Sequence, residues 1–210
     1  LPSRFRRRAL GAALLAPVLA LVGCGSDNNN RLPEAGTAQL VVLETSDLHA
    51  NLLSYDYFKL AEDKSVGFER TATLIRQARA EFPNTLLVDN GDTIQGTALA
   101  DYEAVVKTIP CTQQLSMYKA MGALGFDAGT LGNHEFNYGL PFLNQVLGGG
   151  LEVDGVDASQ KCAGAGFPMV LANVYSTKTK KPLVQPYTIV ERTLTGKAPD
   201  GSEVKAPIKI

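Results

Sequence analysis

The sequence has no excess of charge of one sign: 20 Lys and Arg stand against 21 Asp and Glu in 210 residues, for a formal net charge of −1. So balanced a chain has no field to recruit a nucleic-acid polymer or an anionic membrane surface, and any nucleotide it handles is small. No Gly-x-Ser-x-Gly elbow occurs, which leaves a serine hydrolase without support. The uncharged run from Ala9 to Gly23 is shorter than the roughly 20 residues a helix needs to cross a bilayer, which argues against a permanent transmembrane anchor. Cysteine is scarce, with three residues, and histidine scarcer, with two. What remains is ordinary for one well-packed globular domain, with 45% apolar and 20% charged residues.

Arg4, Arg6, Arg7 and Arg8 precede the apolar run, and small residues follow it, the order of a signal peptide. Its end, Leu21-Val22-Gly23-Cys24, resembles a bacterial lipobox, so residues 1–24 are expected to be a lipoprotein leader, with Cys24 the lipid-bearing first residue of the mature chain. An ordinary signal peptide with an incidental Cys24 is the alternative. Residues 25–38 then form a polar tether, and acyl chains would hold the protein at a membrane surface while the fold stays in water. Gly25, and not Asp, after the cysteine implies the outer membrane, and hence the periplasm. In that oxidising compartment Cys111 and Cys162 are either a disulfide or two separate thiols.

Gln39 to Thr45 is an apolar, β-branched run that predicts a strand buried on both faces. Glu69 to Phe82 predicts an amphipathic helix with Leu74, Ile75 and Ala78 on its apolar face, ended by Pro83. Thr85 to Asp89 is a second strand, Gln114 to Leu124 a helix, Asp127 to Leu131 a short strand, and Tyr138 to Leu147 a helix with Pro141 in its first turn. Strand, helix, strand repeated in this way predicts a parallel α/β sheet. Leu151 to Gly166 reads as a surface excursion, Phe167 to Val174 as a strand, and Tyr187 to Leu194 with Val204 to Ile210 as a hairpin. The last run stops while still extended and the first residue is Leu, so the chain is expected to be part of a longer one.

Three loops leave the carboxyl ends of predicted strands: Asp47-Leu48-His49, Gly91-Asp92 and Gly132-Asn133-His134-Glu135. That edge is where a parallel sheet binds its ligands. On an extended segment Asp47 and His49 can face the same side and hold one ion. Gly91 lets the backbone turn and bring Asp92 inward, where its carboxylate can bridge two ions. Asn133 can give an amide oxygen to the second, while His134 is better used facing a substrate and Glu135 orienting its neighbours. Taken singly, each has a plainer reading: a turn former or solvated side chain at a strand end, or, for Asn133-His134, a helix cap with a buried, satisfied histidine. Together and in this order they predict a pair of divalent ions, with Mn, Zn, Fe and Co equally suited to the donors. Such ions polarise phosphoryl oxygens and acidify a bound water, the chemistry of a binuclear phosphoesterase. His134 would stabilise developing charge or protonate the leaving oxygen.

Asp47-Leu48-His49, Val88-Asp89-Asn90-Gly91-Asp92 with Gln95-Gly96, and Gly132 to Leu140 resemble the calcineurin-like metallophosphoesterases of the exported 5′-nucleotidase family. Within it they are most similar to the bacterial 2′,3′-cyclic-nucleotide 2′-phosphodiesterase/3′-nucleotidase branch. The resemblance covers about Gln39 to the end. It implies a four-layer fold with two sheets between helices, incomplete in this chain, so that residues 39–210 form the N-terminal part of a catalytic domain. It implies that Asp47, His49, Asp92 and Asn133 are metal ligands. It also implies the reaction, opening of a 2′,3′-cyclic phosphate and removal of the resulting 3′-phosphate from a small nucleotide.

Two departures from the family pattern bear on function. Relatives that cleave 5′-nucleotides and sugar nucleotides place Asp after His-Glu-Phe to pair with the catalytic histidine, where this chain has Asn137. An amide can orient the imidazole of His134 but brings it no opposite charge, which favours the cyclic-phosphodiesterase branch. The family also fills its second metal site with later histidines, in Ala-His-Ser and Gly-His-x-His loops, and stacks the base in a further domain; here His49 and His134 are the only histidines. This chain alone is therefore expected to have an incomplete second site and little turnover, the whole gene product being an enzyme. The alternatives are a 5′-nucleotidase or UDP-sugar hydrolase, and a non-catalytic surface lipoprotein with a vestigial site.

Overall fold

A computed structural model describes residues 36–210; the leader, Cys24 and residues 25–35 of the expected tether lie outside the described residues. The β-branched run at the start forms β1 (Val41–Thr45), and the predicted second and third strands form β4 (Thr85–Asp89) and β5 (Ala128–Thr130). With β6 (Met169–Val170) they make a four-stranded parallel sheet in the order β1-β4-β5-β6. Two short strands, β2 (Tyr55–Asp56) and β3 (Ala61–Glu62), pair in the loop after β1. The register aligns Thr45 with Asp89 and Asp89 with Gly129, so β1, β4 and β5 end level with one another. The three candidate loops therefore start from one edge.

Parallel neighbours need crossovers, and three helices supply them: α1 (Phe68–Glu81), α3 (Ser116–Leu124) and α4 (Leu140–Leu147). Each gives an apolar stripe to one core cluster that includes Leu87 of β4: Phe68, Ala72 and Ile75; Met117, Tyr118 and Met121; Phe142, Leu143 and Val146. The spacings follow the helical repeat. On α1 the buried stripe starts one residue before the expected helix and takes in Ile75 but not Leu74, which is 65% exposed, because the face defined by Phe68 and Ala72 is rotated away from it. Phe82 leaves the helix in an extended conformation, as a residue before proline must.

Other expectations are corrected. β1 is not buried on both faces: Val42 and Glu44 are exposed, because its residues alternate between faces and the face these two share is left uncovered among the described residues. β6 spans two residues and not Phe167 to Val174, since β5 offers only Gly129 and Thr130 as partners; beyond it the Leu171 N–H turns to the Gln185 carbonyl. Leu151 to Gly166 has no helix or strand but is not superficial throughout, for Leu151, Val153 and Ala165 are buried. A disulfide joins Cys111 to Cys162 across 51 residues, a closure worth about 4 kcal/mol in chain entropy. The first strand of the hairpin lies later than expected, as β7 (Glu191–Lys197), while the second, β8 (Glu203–Lys209), lies one residue earlier. Asn84 anchors it, donating to the carbonyls of Gln39 and Thr195 and accepting from the Thr195 N–H.

Unforeseen was a short helix α2 (Ala98–Asp101) running into a π turn at Tyr102–Val106. Its N-cap is Thr97, whose hydroxyl accepts from the Ala100 N–H. That hydroxyl also donates to the Ala50 carbonyl at 3.2 Å, tying this helix to the loop after β1.

Candidate metal centre

Glu135 holds the site together. It is fully buried, at 0% exposure, and its carboxylate accepts four backbone N–H bonds: Oε1 from Thr93 and Ile94, Oε2 from Asp92 and Gly132. The loops after β4 and β5 are thereby clamped to each other. They approach so closely that a Cβ at Gly91 would stand 2.4 Å from the Gly132 nitrogen, and one at Gly132 would stand 2.2 Å from Asp92 Oδ1. Only glycine fits at either position.

The loop after β1 is held by hydrogen bonds that extend the strand pairing past its end. The N–H groups of Asp47, His49 and Ala50 donate to the carbonyls of Gly91, Asp92 and Thr93. This pairing forces Asp47, His49, Ala50 and Asp92 to positive φ, between 47° and 58°, a region costly for residues other than glycine. The extended segment expected for Asp47 and His49 is thus a pair of left-handed residues. The two side chains nevertheless meet, with His49 Nε2 3.6 Å from Asp47 Oδ1.

His49 Nδ1 lies 2.8 Å from the Gln95 carbonyl, which can only accept, so Nδ1 carries the proton. In the neutral ring Nε2 is then a lone pair facing a carboxylate oxygen. Two bases turned toward each other suit a cation between them, the arrangement of a metal-binding histidine whose other nitrogen is hydrogen-bonded. Ligand atoms of His49, Asp92 and His134 all lie within 4.8 Å of one another, and the two rings meet edge to face at 4.8 Å. One oxygen of Asp92, Oδ1, accepts the His134 N–H at 2.8 Å, which leaves Oδ2 available. His49, Asp92 and His134 can hold a divalent ion, and strain concentrated on the same segment is typical of a functional site.

Asn133 is exposed and its side chain makes no cap bond to the 3₁₀ turn His134–Phe136; His134 is only partly buried. The helix-cap reading of this pair therefore fails. Asn137 Nδ2 lies 2.9 Å from His134 Nδ1 and 3.2 Å from Gln95 Oε1, while Gln95 Oε1 is 2.6 Å from His134 Nδ1. Sequence reasoning missed Gln95 as a site residue, although it stands in the same Asp92 to Gly96 stretch.

It also missed Asp89. This buried carboxyl accepts the hydroxyls of Thr45 and Thr93 and the Gly91 N–H, joining β1 to the loop after β4. Burial pushes it above the usual carboxylate range and the nearby charge of Glu135 adds to this, against its three hydrogen bonds. With the folded value raised, its neutral form contributes stability that is fully present below the unfolded value and is lost as pH rises through the folded one. Asp89→Asn keeps a neutral group, since the Thr45 hydroxyl can reverse and accept. The variant is expected to flatten stability against pH in the mildly acidic range, measured by urea unfolding. An unchanged profile would contradict this assignment.

The model of the calcineurin-like phosphoesterase family matches residues 40–175. The chain is 43% identical over 185 residues to a 2′,3′-cyclic-nucleotide 2′-phosphodiesterase/3′-nucleotidase of Yersinia enterocolitica, with 88% of this chain and 25% of that protein covered. It is 44% identical over 163 residues to the protein of the same name from Salmonella typhimurium, covering 78% and 23%. The crystal structure of the calcineurin-like phosphoesterase YfkN from Bacillus subtilis superposes with a TM-score of 0.65 at 41% identity, covering 82% of this chain and 47% of that one. The chain thus spans about a quarter of the length of the two nucleotidases it matches. Its fold, its loops and these matches together show that the chain belongs to the calcineurin-like phosphoesterase family.

Proposed function

We propose that this chain carries the N-terminal part, residues 39–210, of a hydrolase that opens 2′,3′-cyclic nucleotides and then removes the 3′-phosphate, releasing nucleoside and phosphate. The observation that carries this is the meeting of His49 Nε2 and Asp47 Oδ1, two bases 3.6 Å apart, beside Asp92 and His134. The names of the two nucleotidase relatives support the substrate class. Family membership implies divalent ions: Asp47 and His49 would hold one, Asp92 would be shared, and Asn133 would serve a second. Mn, Zn, Fe and Co all suit these donors. When bound, the ions supply Lewis acidity toward the phosphoryl oxygens and acidify water. With two imidazoles in the sequence, this chain alone furnishes one site well and the second in part, and little turnover is expected of it by itself.

The chain's own residues handle position and protons. Asp92 accepts from the His134 backbone through one oxygen and keeps the other for an ion. The His134 ring, gripped on its Nδ1 side by Gln95 and Asn137, turns its Nε2 to the leaving oxygen. Opening the cyclic ester frees the 2′-oxygen and the second cleavage frees the 3′-oxygen; each needs one proton. The two oxygens are neighbours on one ribose, so a single general acid can serve both steps. The leader supports export, with Cys24 lipidated and the fold in the periplasm at the outer membrane; among the described residues no helix is long and apolar enough to cross a membrane.

The test is competition between substrates with the intact gene product. Cyclic and 3′-nucleotides are expected to be hydrolysed, with activity abolished by a chelator and 5′-nucleotides competing poorly. Preference for 5′-nucleotides or UDP-sugars would move the protein to that branch. Activity in none of these assays, with no response to metal, would leave a vestigial site.

A further inference from the structure

We infer that Gln95 is a positioning residue that fixes the tautomer of both histidines of this site, one through its backbone and the other through its side chain. Its carbonyl oxygen accepts from His49 Nδ1 at 2.8 Å. Its side-chain Oε1 meets His134 Nδ1 at 2.6 Å and Asn137 Nδ2 at 3.2 Å. The three side-chain atoms close into a consistent set when Nδ1–H and Nδ2–H both donate to Oε1; the 2.9 Å between the two nitrogens then reflects their shared acceptor. Reversing both amides gives the only other closed set, with His134 Nδ1 accepting from the Gln95 amide nitrogen. The 2.6 Å contact decides between them, because it is already short for N–H···O and shorter than N–H···N contacts sustain.

Gln95 therefore takes a task that an acid at position 137 would otherwise perform. Asn137 turns its donor inward and braces Oε1, and Gln95 supplies the acceptor that holds the Nδ1 proton of His134. Because Gln95 stands on the loop after β4, it couples the ring on the loop after β1 to the ring on the loop after β5. The neutral His49 ring presents a basic Nε2 to Asp47 Oδ1 at 3.6 Å, and the neutral His134 ring is left with Nε2 as its basic nitrogen. That His134 takes up a second proton at Nε2 and gives it to the leaving oxygen, its Nδ1 proton staying on Gln95 Oε1, rests on the phosphoester-hydrolase reading; the tautomers of the neutral rings rest on geometry alone.

The two imidazoles are the only ones in the sequence, so ¹⁵N NMR of the ring nitrogens reads each directly in the metal-free chain, prepared without a histidine tag at a pH where both rings are neutral. Both rings are expected as Nδ1–H tautomers. Gln95→Met removes the side-chain acceptor and leaves the backbone carbonyl, so His134 is expected to lose its Nδ1–H signature for the Nε2–H form favoured in water, with His49 unchanged. Gln95→Glu restores an acceptor and the Nδ1–H form. An Nε2–H ring at His134 in the unsubstituted chain overturns the inference, as does a Met variant that leaves His134 unaltered. Should the Met variant not fold, the unsubstituted and Glu spectra still decide, since loss of Nδ1–H in the Glu variant is equally fatal. A chain with both tautomers as stated and no hydrolase activity in the intact gene product would sink the proposed function and leave this inference standing.

Discussion

Glu135→Gln is expected to cost about 4 kcal/mol of folding stability, although it changes one oxygen to a nitrogen. Each carboxylate oxygen accepts two backbone N–H groups, Thr93 and Ile94 on one, Asp92 and Gly132 on the other. Whichever way the Gln amide turns, its NH₂ faces two of those donors. They are then buried without an acceptor and pushed apart, at about 1–3 kcal/mol each. Glu135→Ala frees all four and leaves a cavity besides, so it is expected to cost more. Urea unfolding of the 210-residue chain measures both. A Gln variant within about 1 kcal/mol of the unsubstituted chain would show that the two loops are held by something other than this carboxylate.

Asp92→Asn separates charge from shape. Its amide oxygen can still accept the His134 N–H now made to Oδ1 at 2.8 Å, and Asn tolerates the left-handed φ of 58° that this position requires. Folding stability should change little. Affinity for a divalent ion is expected to fall about a thousandfold, or about 4 kcal/mol, because the carboxylate that clusters with both His49 and His134 has lost its charge. Calorimetric titration of both chains with Mn or Zn checks this. A loss below about tenfold would mean that the ion is held elsewhere.

Much of this site was legible because its parts are punctuated locally. Thr85 to Asp89 is β-rich and bounded by Pro83-Asn84 and Asn90-Gly91, and the strand has those bounds. Asp47, His49, Asp92 and His134 could be placed at one edge because each follows a run with strand composition. Less legible were features created by residues far apart in sequence. The positive φ of Asp47 and His49 comes from N–H bonds to Gly91 and Asp92, and no local signal marks a left-handed Asp or His. Gln95 belonged to the motif that carries the resemblance but had no role there until the fold set its carbonyl against one ring and its amide against the other. The exposure of Val42 depends on what packs against its face of β1, and a run of apolar residues does not say whether one face of a strand is left uncovered.

Whether these loops assemble a metal site within this chain is decided by elemental analysis of the purified chain from Gly25 onward. About one tightly held divalent ion per chain is expected, lost on Asp92→Asn, with a second binding only weakly. A chain that purifies and dialyses free of metal and takes up none on titration would contradict it, leaving the fold without its site.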